Sequence, residues 1–400
     1  MSDRVPRVLL SAPACAISLG SEATVGARVS QHISSRYPTD IITLAGGGIE
    51  NARHVFDTGC KFDDLNDVSW GPLLKFEMRQ RSLTKGRFLL DYDVVHRVTP
   101  SGWKNSLLQP LDGQRVVVGP ILLSKAPPAS FDPIFRPRSL NRTSARISTR
   151  RLVGSIARRY LERHDTNLLD RADLIICGSK TTASLLTPQQ QERSLTLPYS
   201  GIEHEYFVPG SAVRSDSTLR LLFVGRLVPY KGLELLLRAV AHLRRHVNVK
   251  LLIVGSGNRE TVGYFRRVAT ALETTNEVDF VGHVGRAELL GIYQAADLFC
   301  MPSIETYGLS ILEAMSCGCV PVVADWNGPG EIVESDYGVK VALSDPEQFV
   351  IDYAERIIGM MDSQDMRKEM ASRARETVIA RHSWDKLLMV IGEAYRELLL

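Results

Sequence analysis

Short runs of apolar residues recur along the chain, and several of them end in Gly or Pro. The clearest runs lie at 8–12, 40–43, 94–96, 116–119, 174–177, 221–225, 250–255, 278–282, 298–302 and 320–324. Because they contain few polar positions, they are typical of parallel strands that are buried on both faces. Amphipathic stretches lie between them, and the segment 232–245 has its leucines at helical spacing. The alternation of strands and helices predicts a doubly wound α/β architecture.

The chain has 400 residues, which is enough for two to three domains. A run of turn-forming and polar residues at 197–218 predicts a domain boundary near the middle of the chain. Two similar α/β domains facing each other would leave a cleft lined by the loops that follow the strand C-termini. Residues 124–150 have few periodic apolar positions and several prolines, and they predict a long loop or insertion in the first domain. Residues 384–400 predict an amphipathic helix.

The composition excludes several classes of protein. Hydrophobic residues make up 44% of the chain and charged residues 23%, which excludes a mostly disordered chain and a collagen-like repeat. Basic residues number 48 and acidic residues 45, and a net charge of +3 is too balanced for a dedicated nucleic-acid binder. The six cysteines form no CxxC pair, which predicts reduced, buried thiols in a cytosolic protein.

The first residues favour a buried strand. Residues 1–20 carry two arginines before an apolar run that is too short for a signal peptide. No uncharged apolar stretch approaches the about 18 residues of a membrane-spanning helix. We therefore expect a cytoplasmic protein.

Two carboxylates flank a predicted helix start after the strand at 298–302. Glu305 lies in the turn after this strand, and Glu313 lies eight positions later in the helix. The free N–H groups and partial positive charge of a helix N-terminus suit an anion such as a diphosphate. The first carboxylate could accept hydrogen bonds from sugar hydroxyls, and the second from a ribose diol. A capping acid followed by a solvated Glu would give the same spacing.

Two cations follow the strand at 221–225. Arg226 comes directly after Gly225, and Lys231 lies five residues further on. Cations beside a Gly that admits close approach of the backbone suit a phosphate. Two solvated cations near a helix start would produce the same pattern.

In combination, these stretches resemble the C-terminal domain of retaining glycosyltransferases with the GT-B fold, family 4 type. The resemblance rests on GRLVPYKG, LLIVGSGN, VDFVGHV and ETYGLSILEAMSCG, which follow one another between residues 219 and 341. The N-terminal half is similar more weakly, through LGSEATVGARVSQHI, DYDVVHRVTP and VVVGP. The chain departs from its relatives after Gly119-Pro120, where ILLS replaces a Gly-rich run, and this departure leaves the acceptor undetermined.

The resemblance implies two Rossmann-like doubly wound domains that face a central cleft. Residues 1–205 would form the acceptor-binding domain, and residues 206–383 the nucleotide-sugar-binding domain. The C-terminal helix at 384–400 would pack back on the first domain.

The resemblance also implies a role for each site residue. Arg226 and Lys231 would hold the donor phosphates and the leaving diphosphate. Glu305 would bind hydroxyls of the transferred sugar, and His96 would lie at the reacting sugar on the opposite wall. Glu313 would bind the ribose. Further donor contacts would come from Gly20 at the diphosphate, Val284 near the base, and the backbone N–H groups of Thr306, Tyr307, Gly308 and Leu309.

The implied reaction is a hexosyltransferase type of transfer from a UDP- or GDP-linked sugar, with retention at the anomeric carbon. Two cations and a helix N-terminus would neutralise the leaving diphosphate, so neither a metal nor a cofactor is expected. The leaving phosphate would take the acceptor's proton, and Glu305 is therefore not assigned as a covalent nucleophile. The expected pathway is glycan or exopolysaccharide assembly on a lipid carrier at the cytoplasmic membrane face.

Several alternatives stay open. Residues 136–163, from Arg136 to Arg163, contain nine Arg and one acid. This segment could be a solvated basic face, a peripheral contact with anionic lipids, or a contact with an acidic acceptor or the donor phosphates. The acceptor could also be a small soluble molecule of secondary metabolism. A non-catalytic sugar-nucleotide-binding protein is the alternative from another class, and the complete set of cations and carboxylates argues against it.

Other local motifs favour different chemistry only weakly. The stretch VGSGNRE at 254–260 lacks the third small residue of a dinucleotide-binding fingerprint. Asp91 and Asp93 have the Asp-x-Asp form of metal-dependent transferases, but they precede a buried strand, where a turn or capping role fits better. The spacing of His and Cys residues fits no zinc site.

Overall fold

The computed structural model describes residues 4–13, 15, 21–43, 51–58, 70–85, 87–98, 105–137, 140, 166–210, 218–361 and 363–400. The chain divides into two compact units. The first unit draws its described residues from Met1–Leu123, Ser144–Gly201 and Trp384–Leu400, and the second from Ser124–Thr143 and Ile202–Ser383. The C-terminal helix is therefore part of the first unit.

Strands and helices alternate along the chain, as the apolar pattern predicts. The strands are β1 (Val8–Ser11), β2 (Thr39–Thr43), β3 (His54–Asp57), β4 (Val94–Arg97), β5 (Asn105–Ser106), β6 (Arg115–Ile121), β7 (Thr166–Asn167), β8 (Leu174–Cys177), β9 (Ser194–Thr196), β10 (Leu219–Val224), β11 (Val249–Val254), β12 (Val278–Gly282), β13 (Leu298–Met301), β14 (Val320–Ala324) and β15 (Val339–Val341). The helices are α1 (Ser21–Ser34), α2 (Trp70–Leu83), α3 (Asp132–Phe135), α4 (Leu168–Arg171), α5 (Lys180–Ser184), α6 (Pro188–Gln191), α7 (Leu233–Leu243), α8 (Arg259–Ala271), α9 (Arg286–Ala295), α10 (Leu309–Ser316), α11 (Asn327–Ile332), α12 (Pro346–Gly359), α13 (Gln364–Arg381) and α14 (Trp384–Leu399). Short 3₁₀ turns lie at Phe88–Asp91, Ala129–Phe131 and Pro229–Lys231.

The first unit is built on a parallel sheet. Its described strands run in the order β3-β2-β1-β4-β6-β8-β9, and β5 and β7 form a separate antiparallel pair. In the central strands, Leu10 of β1 lies between Ile41 of β2 and His96 of β4. These strands are buried on both faces because their apolar runs are nearly continuous. The strand order reverses between β1 and β4.

The second unit is also built on a parallel sheet, with its described strands in the order β12-β11-β10-β13-β14-β15. Its core includes the fully buried Phe223, Leu251 and Cys300. The strand order reverses between β10 and β13. In open parallel sheets, ligands bind beyond the carboxyl ends of the strands at such a reversal. The segments that carry Arg226 and Glu305 follow these two strands.

The described residues within Ser124–Thr143 belong with the second unit. This result corrects the expectation that 124–150 is a loop or insertion of the first domain. Phe131 and Phe135 are buried in the core of the second unit, and the Phe131 ring meets Phe349 edge-on at 6.1 Å. Because prolines interrupt this segment, its buried positions form no periodic hydrophobic pattern in the sequence.

The C-terminal helix α14 packs on α1 within the first unit. A Cβ atom added to Gly392 of α14 would lie 2.9 Å from Nε2 of His32 on α1. Tyr395, one turn further on, is fully buried, and its ring lies 5.8 Å from the ring of Tyr37. Over the described ranges, no helix is both long enough and apolar enough to cross a membrane.

Candidate functional site

A close approach of two loops brings Lys231 and Glu305 together. Lys231 ends the Pro229–Lys231 turn, and Gly232 then adopts a left-handed conformation with φ of 77°. A Cβ atom at Gly232 would overlap the carbonyl oxygen of Pro302. Only Gly therefore allows the loop after β10 to lie against the loop after β13.

Lys231 and Glu305 form an ion pair across this contact. Lys231 Nζ binds Glu305 Oε2, and the two side chains are only 12% and 14% exposed. Ser303 Oγ donates a hydrogen bond to Glu305 Oε1 at 3.2 Å. The backbone N–H of Ile304 donates to the Tyr230 carbonyl at 3.1 Å, which ties the loops together. Each oxygen of the Glu305 carboxylate thus has a donor that holds its orientation.

Arg226 is exposed on the loop after β10. Its Nη2 donates a hydrogen bond to the Tyr230 hydroxyl at 2.6 Å. The neighbouring Gly255, with φ of 136°, packs so closely that a Cβ atom there would overlap the Gly225 carbonyl oxygen. The glycines of VGSGN therefore serve strand-loop packing beside Arg226.

The loop from Glu305 to helix α10 is shaped by the start of helix α11. The N–H of Gly328 donates to the Glu305 carbonyl at 3.3 Å. A Cβ atom at Gly328 would lie 2.5 Å from the Thr306 carbonyl oxygen and 2.6 Å from Cα of Tyr307. Gly308 is the N-cap residue of α10. The residues predicted to offer backbone N–H groups thus form one loop that ends at the α10 N-terminus.

Glu313 lies on α10 and is partly exposed. Its Oε2 accepts a hydrogen bond from the Tyr293 hydroxyl at 2.7 Å. Burial raises the pKa of Glu313 to about 7, although the Tyr293 hydrogen bond and the positive charges of Arg286 and Lys231 act to lower it. Val284 follows β12 and packs on the same hydrophobic cluster that contains Tyr293.

His96 has a structural position, which corrects the expectation that it contacts the reacting sugar. It is fully buried on β4, with Nε2 2.7 Å from the Gly119 carbonyl oxygen and Nδ1 2.5 Å from the Tyr395 hydroxyl. Because a carbonyl only accepts, this network assigns the proton to Nε2, and Nδ1 accepts from Tyr395. Burial lowers the pKa of His96 to about 4, so the ring is neutral near pH 7. Both ring nitrogens of His96 therefore form hydrogen bonds with groups of the first unit.

Two predicted features lie wholly or mostly outside the described residues. Gly20 is one of them, and so is most of the segment 136–163. Within the described part of that segment, Arg136 is exposed and forms an ion pair with Asp132 at 3.8 Å.

The Asp-x-Asp pair serves the turn before β4. Asp93 Oδ2 accepts the backbone N–H of Arg7 at 2.7 Å. Asp91 forms an ion pair with the Arg7 side chain at 3.9 Å. These contacts agree with the turn interpretation.

A buried polar network that the sequence analysis did not predict lies at the carboxyl ends of β1 and β4. Arg97 forms an ion pair with Glu77 of α2 and donates to Ser11 Oγ at 2.6 Å. Glu77 Oε2 also accepts the backbone N–H of Leu107 at 2.8 Å. The one available signal is that Ser11 and Arg97 each interrupt an apolar strand at its end.

Two further residues of the second unit, neither of which the sequence analysis predicted, support the candidate site. Tyr293 holds Glu313 by a side-chain hydrogen bond. Asn327 binds the backbone beside Glu305. Tyr293 lies in an ordinary amphipathic helix pattern, and Asn327 lies in a turn-like stretch, so neither stands out by spacing.

Comparisons with known proteins agree with the motif pattern. Residues 211–377 match the family model described as Glycosyl transferases group 1. The D-inositol 3-phosphate glycosyltransferase of Corynebacterium diphtheriae is 30% identical over 263 residues, which cover 60% of each chain. A GDP-mannose-dependent monoacylated alpha-(1-6)-phosphatidylinositol monomannoside mannosyltransferase of Corynebacterium glutamicum is 31% identical over 220 residues, covering 50% of this chain and 54% of that protein. The matches thus span about 60% or less of the length of these curated relatives.

Solved structures share the fold over nearly the whole chain. Sucrose-phosphate synthase of Thermosynechococcus elongatus has a TM-score of 0.67 and 18% identity, and the match covers 99% of both chains. HepE of Anabaena in complex with UDP has a TM-score of 0.63 and 18% identity, and the match covers 98% of this chain and 100% of that chain. The predicted fold class is therefore confirmed. The protein has the GT-B fold, and its residues 211–377 are similar to the glycosyl transferases group 1.

Proposed function

We propose that this protein is a retaining glycosyltransferase that moves a sugar from a UDP- or GDP-linked donor to an acceptor of glycan or exopolysaccharide assembly. The observation that carries the proposal is the largely buried Lys231–Glu305 pair beyond β10 and β13. This pair lies in the segment that matches the family model. A cation for phosphate and a carboxylate for sugar hydroxyls are the two groups that a nucleotide sugar requires within one site.

The phosphate part of the site is formed by Arg226, Lys231 and the N-terminus of α10. Arg226 is exposed beside the loop contact, and its guanidinium can bind a phosphate through two N–H groups. The α10 N-terminus adds backbone N–H groups and a partial positive charge. These groups would stabilise the leaving diphosphate as charge develops on it, and we propose that no metal is needed.

Glu305 would bind the transferred sugar, because its carboxylate is fixed at both oxygens beside Lys231. Glu313 would bind the ribose two turns into α10. We propose retention at the anomeric carbon by a same-face reaction, in which the leaving phosphate accepts the acceptor's proton. His96 takes no part in this proposal because its ring nitrogens are both occupied.

The curated relatives suggest two classes of acceptor. The relatives named above act on inositol 3-phosphate and on a phosphatidylinositol mannoside, one soluble and one lipid-linked. We propose a lipid-linked glycan, reached at the cytoplasmic membrane face through the Arg-rich segment 136–163. Binding to anionic liposomes that is lost at high salt would support this choice. Absence of liposome binding would favour the small soluble acceptor.

Thermal-shift measurements with UDP, GDP, ADP and TDP and their sugar conjugates test the donor site. A ligand at about 100 times its Kd adds about 2.7 kcal/mol to the free energy of unfolding. We expect a shift with one nucleotide series, unchanged by EDTA. A shift that requires Mg²⁺ would contradict the metal-free proposal, and no shift with any nucleotide would overturn the donor site.

Donor hydrolysis separates an enzyme from a non-catalytic binding protein. We expect slow hydrolysis by the wild type and a large loss in Arg226→Ala and Glu305→Ala. Arg238→Ala, at a cation on α7, is the matched control and should retain hydrolysis. Binding without hydrolysis or transfer would favour the sugar-nucleotide-binding protein.

A further inference from the structure

We propose that Tyr293 is a positioning residue, whose hydroxyl orients the Glu313 carboxylate to accept the ribose hydroxyls of the donor nucleotide. This inference rests on the proposed function and deepens it. It assigns a specificity role to a side chain that is itself too buried to touch the donor.

Tyr293 is held rigidly inside the second unit. Its side chain is fully buried on α9. The ring meets Phe207 edge-on at 6.0 Å and lies 6.1 Å from the ring of Phe299. Cys319 Sγ lies 3.0 Å from the Tyr293 carbonyl oxygen and donates to it. Because ring and backbone are both restrained, the hydroxyl has a defined position.

The hydroxyl reaches the carboxylate from one side only. Tyr293 Oη donates to Glu313 Oε2 at 2.7 Å. Within the described residues, this is the one hydrogen bond to the Glu313 carboxylate, and the side chain keeps part of its surface exposed. One oxygen is therefore fixed by the protein, while the other keeps its capacity to accept.

A fixed carboxylate can discriminate ribose from deoxyribose. An ionised carboxylate only accepts hydrogen bonds, and a ribose diol supplies two donors. If the carboxylate could rotate, ribose binding would have to overcome the entropy of ordering it. The Tyr293 hydroxyl fixes the orientation of the Glu313 carboxylate before the nucleotide binds, and it also stabilises the ionised form of this carboxylate.

A Tyr293→Phe variant of the full chain tests this role, because it keeps the ring and removes only the hydroxyl. The probes are UDP, GDP and their 2′-deoxy analogues, with Kd values from calorimetry. We expect the wild type to prefer the ribonucleotide of its own series. Tyr293→Phe should reduce that preference about tenfold, the scale of one hydrogen bond to a charged group. Glu313→Gln should also reduce it, and the double variant should lose no more than Glu313→Gln alone.

Tyr353→Phe is the matched control. Tyr353 is fully buried in the same unit, and its hydroxyl donates to the Val322 carbonyl at 2.6 Å. It should lose stability while keeping the ribose preference. An unchanged preference in Tyr293→Phe, or an equal loss in Tyr353→Phe, would overturn the inference and leave the proposed function standing. A wild type that binds neither UDP nor GDP would overturn both.

Discussion

The side-chain amide of Asn327 binds the main chain of Lys125 in both directions. Lys125 N–H donates to Asn327 Oδ1 at 3.0 Å, and Asn327 Nδ2 donates to the Lys125 carbonyl at 3.2 Å. The same Nδ2 donates to the Ile304 carbonyl at 3.1 Å, directly before Glu305. Asn327 has φ of 44°, which Asn tolerates better than most residues. A single buried amide therefore anchors two loops beside the candidate site.

Replacing Asn327 with Gly should loosen this anchor without straining the backbone. Gly accepts the left-handed conformation, so the loss reports mainly on the hydrogen bonds. We expect the free energy of unfolding to fall by about 1–3 kcal/mol, with slower donor hydrolysis because the Glu305 loop is less restrained. Urea unfolding and a hydrolysis assay measure the two effects. Asn248→Gly is the control, because its amide contacts Thr218 at the surface. Equal unfolding curves for the two variants would contradict the proposed role of Asn327 as an anchor of the two loops.

Lys231→Met should remove one of the two cations of the candidate site and leave Glu305 without its cationic partner. We expect donor hydrolysis to fall about 10²- to 10³-fold, the scale seen for loss of one group that stabilises developing negative charge. The control is Lys340→Met, whose ammonium lies 3.5 Å from Asp325 and is also partly buried. If both variants lost activity equally, the effect would be structural and the assignment of Lys231 would fail.

Nucleotide affinity should depend on pH through Glu313. Its pKa lies near 7 instead of the usual 4.5, mainly because of burial. Arg286 and Lys231 lower this pKa, and Glu203 raises it. As the pH falls from 8 to 6, the carboxylate becomes protonated and loses capacity to accept the ribose hydroxyls. We expect ribonucleotide affinity to fall over this interval and deoxyribonucleotide affinity to change less. A flat profile for both would contradict the ribose role.

The same shift predicts how Glu313 affects stability. Because the folded-state pKa is raised, the protonated form contributes stability that is fully present below about pH 4.5 and is lost as the pH rises through 7. Glu313→Gln carries no charge, so its melting temperature should exceed that of the wild type more at pH 8 than at pH 5. In Tyr293→Phe the midpoint of the affinity profile should move to higher pH, because the Tyr293 hydrogen bond lowers the pKa of Glu313 and its removal raises that pKa.

Tyr395→Phe should destabilise the first unit through His96. The variant leaves His96 Nδ1 buried without its donor, at an expected cost of about 1–3 kcal/mol in the free energy of unfolding. Tyr37→Phe is the control, because Tyr37 is partly exposed beside Tyr395 and its hydroxyl makes no hydrogen bond to the described residues. Chemical unfolding followed by circular dichroism compares them. If Tyr395→Phe unfolded like the wild type, the Tyr395–His96 hydrogen bond would contribute nothing to the free energy of unfolding.

The sequence predicts the fold because its signals are local. Continuous apolar runs identify the strands of both sheets except the edge strands β3, β9 and β15, and glycines such as Gly225 mark the loops that follow them. The cations and carboxylates of the candidate site stand directly after strands β10 and β13, so the carboxyl-end rule for parallel sheets suffices to group Arg226, Lys231 and Glu305. Each of these inferences needs only neighbours along the chain.

Tertiary packing decided the remaining features. His96 ends a strand as a functional residue would, yet Tyr395, almost 300 residues later, occupies one ring nitrogen and Gly119 the other. The Tyr293–Glu313 and Asn327–Lys125 contacts join residues whose local patterns are unremarkable. Whether a polar side chain is buried and paired depends on which elements pack against it. The sequence therefore determines the strands and the order of the chemical groups, while only the packed chain determines which groups are available to a ligand.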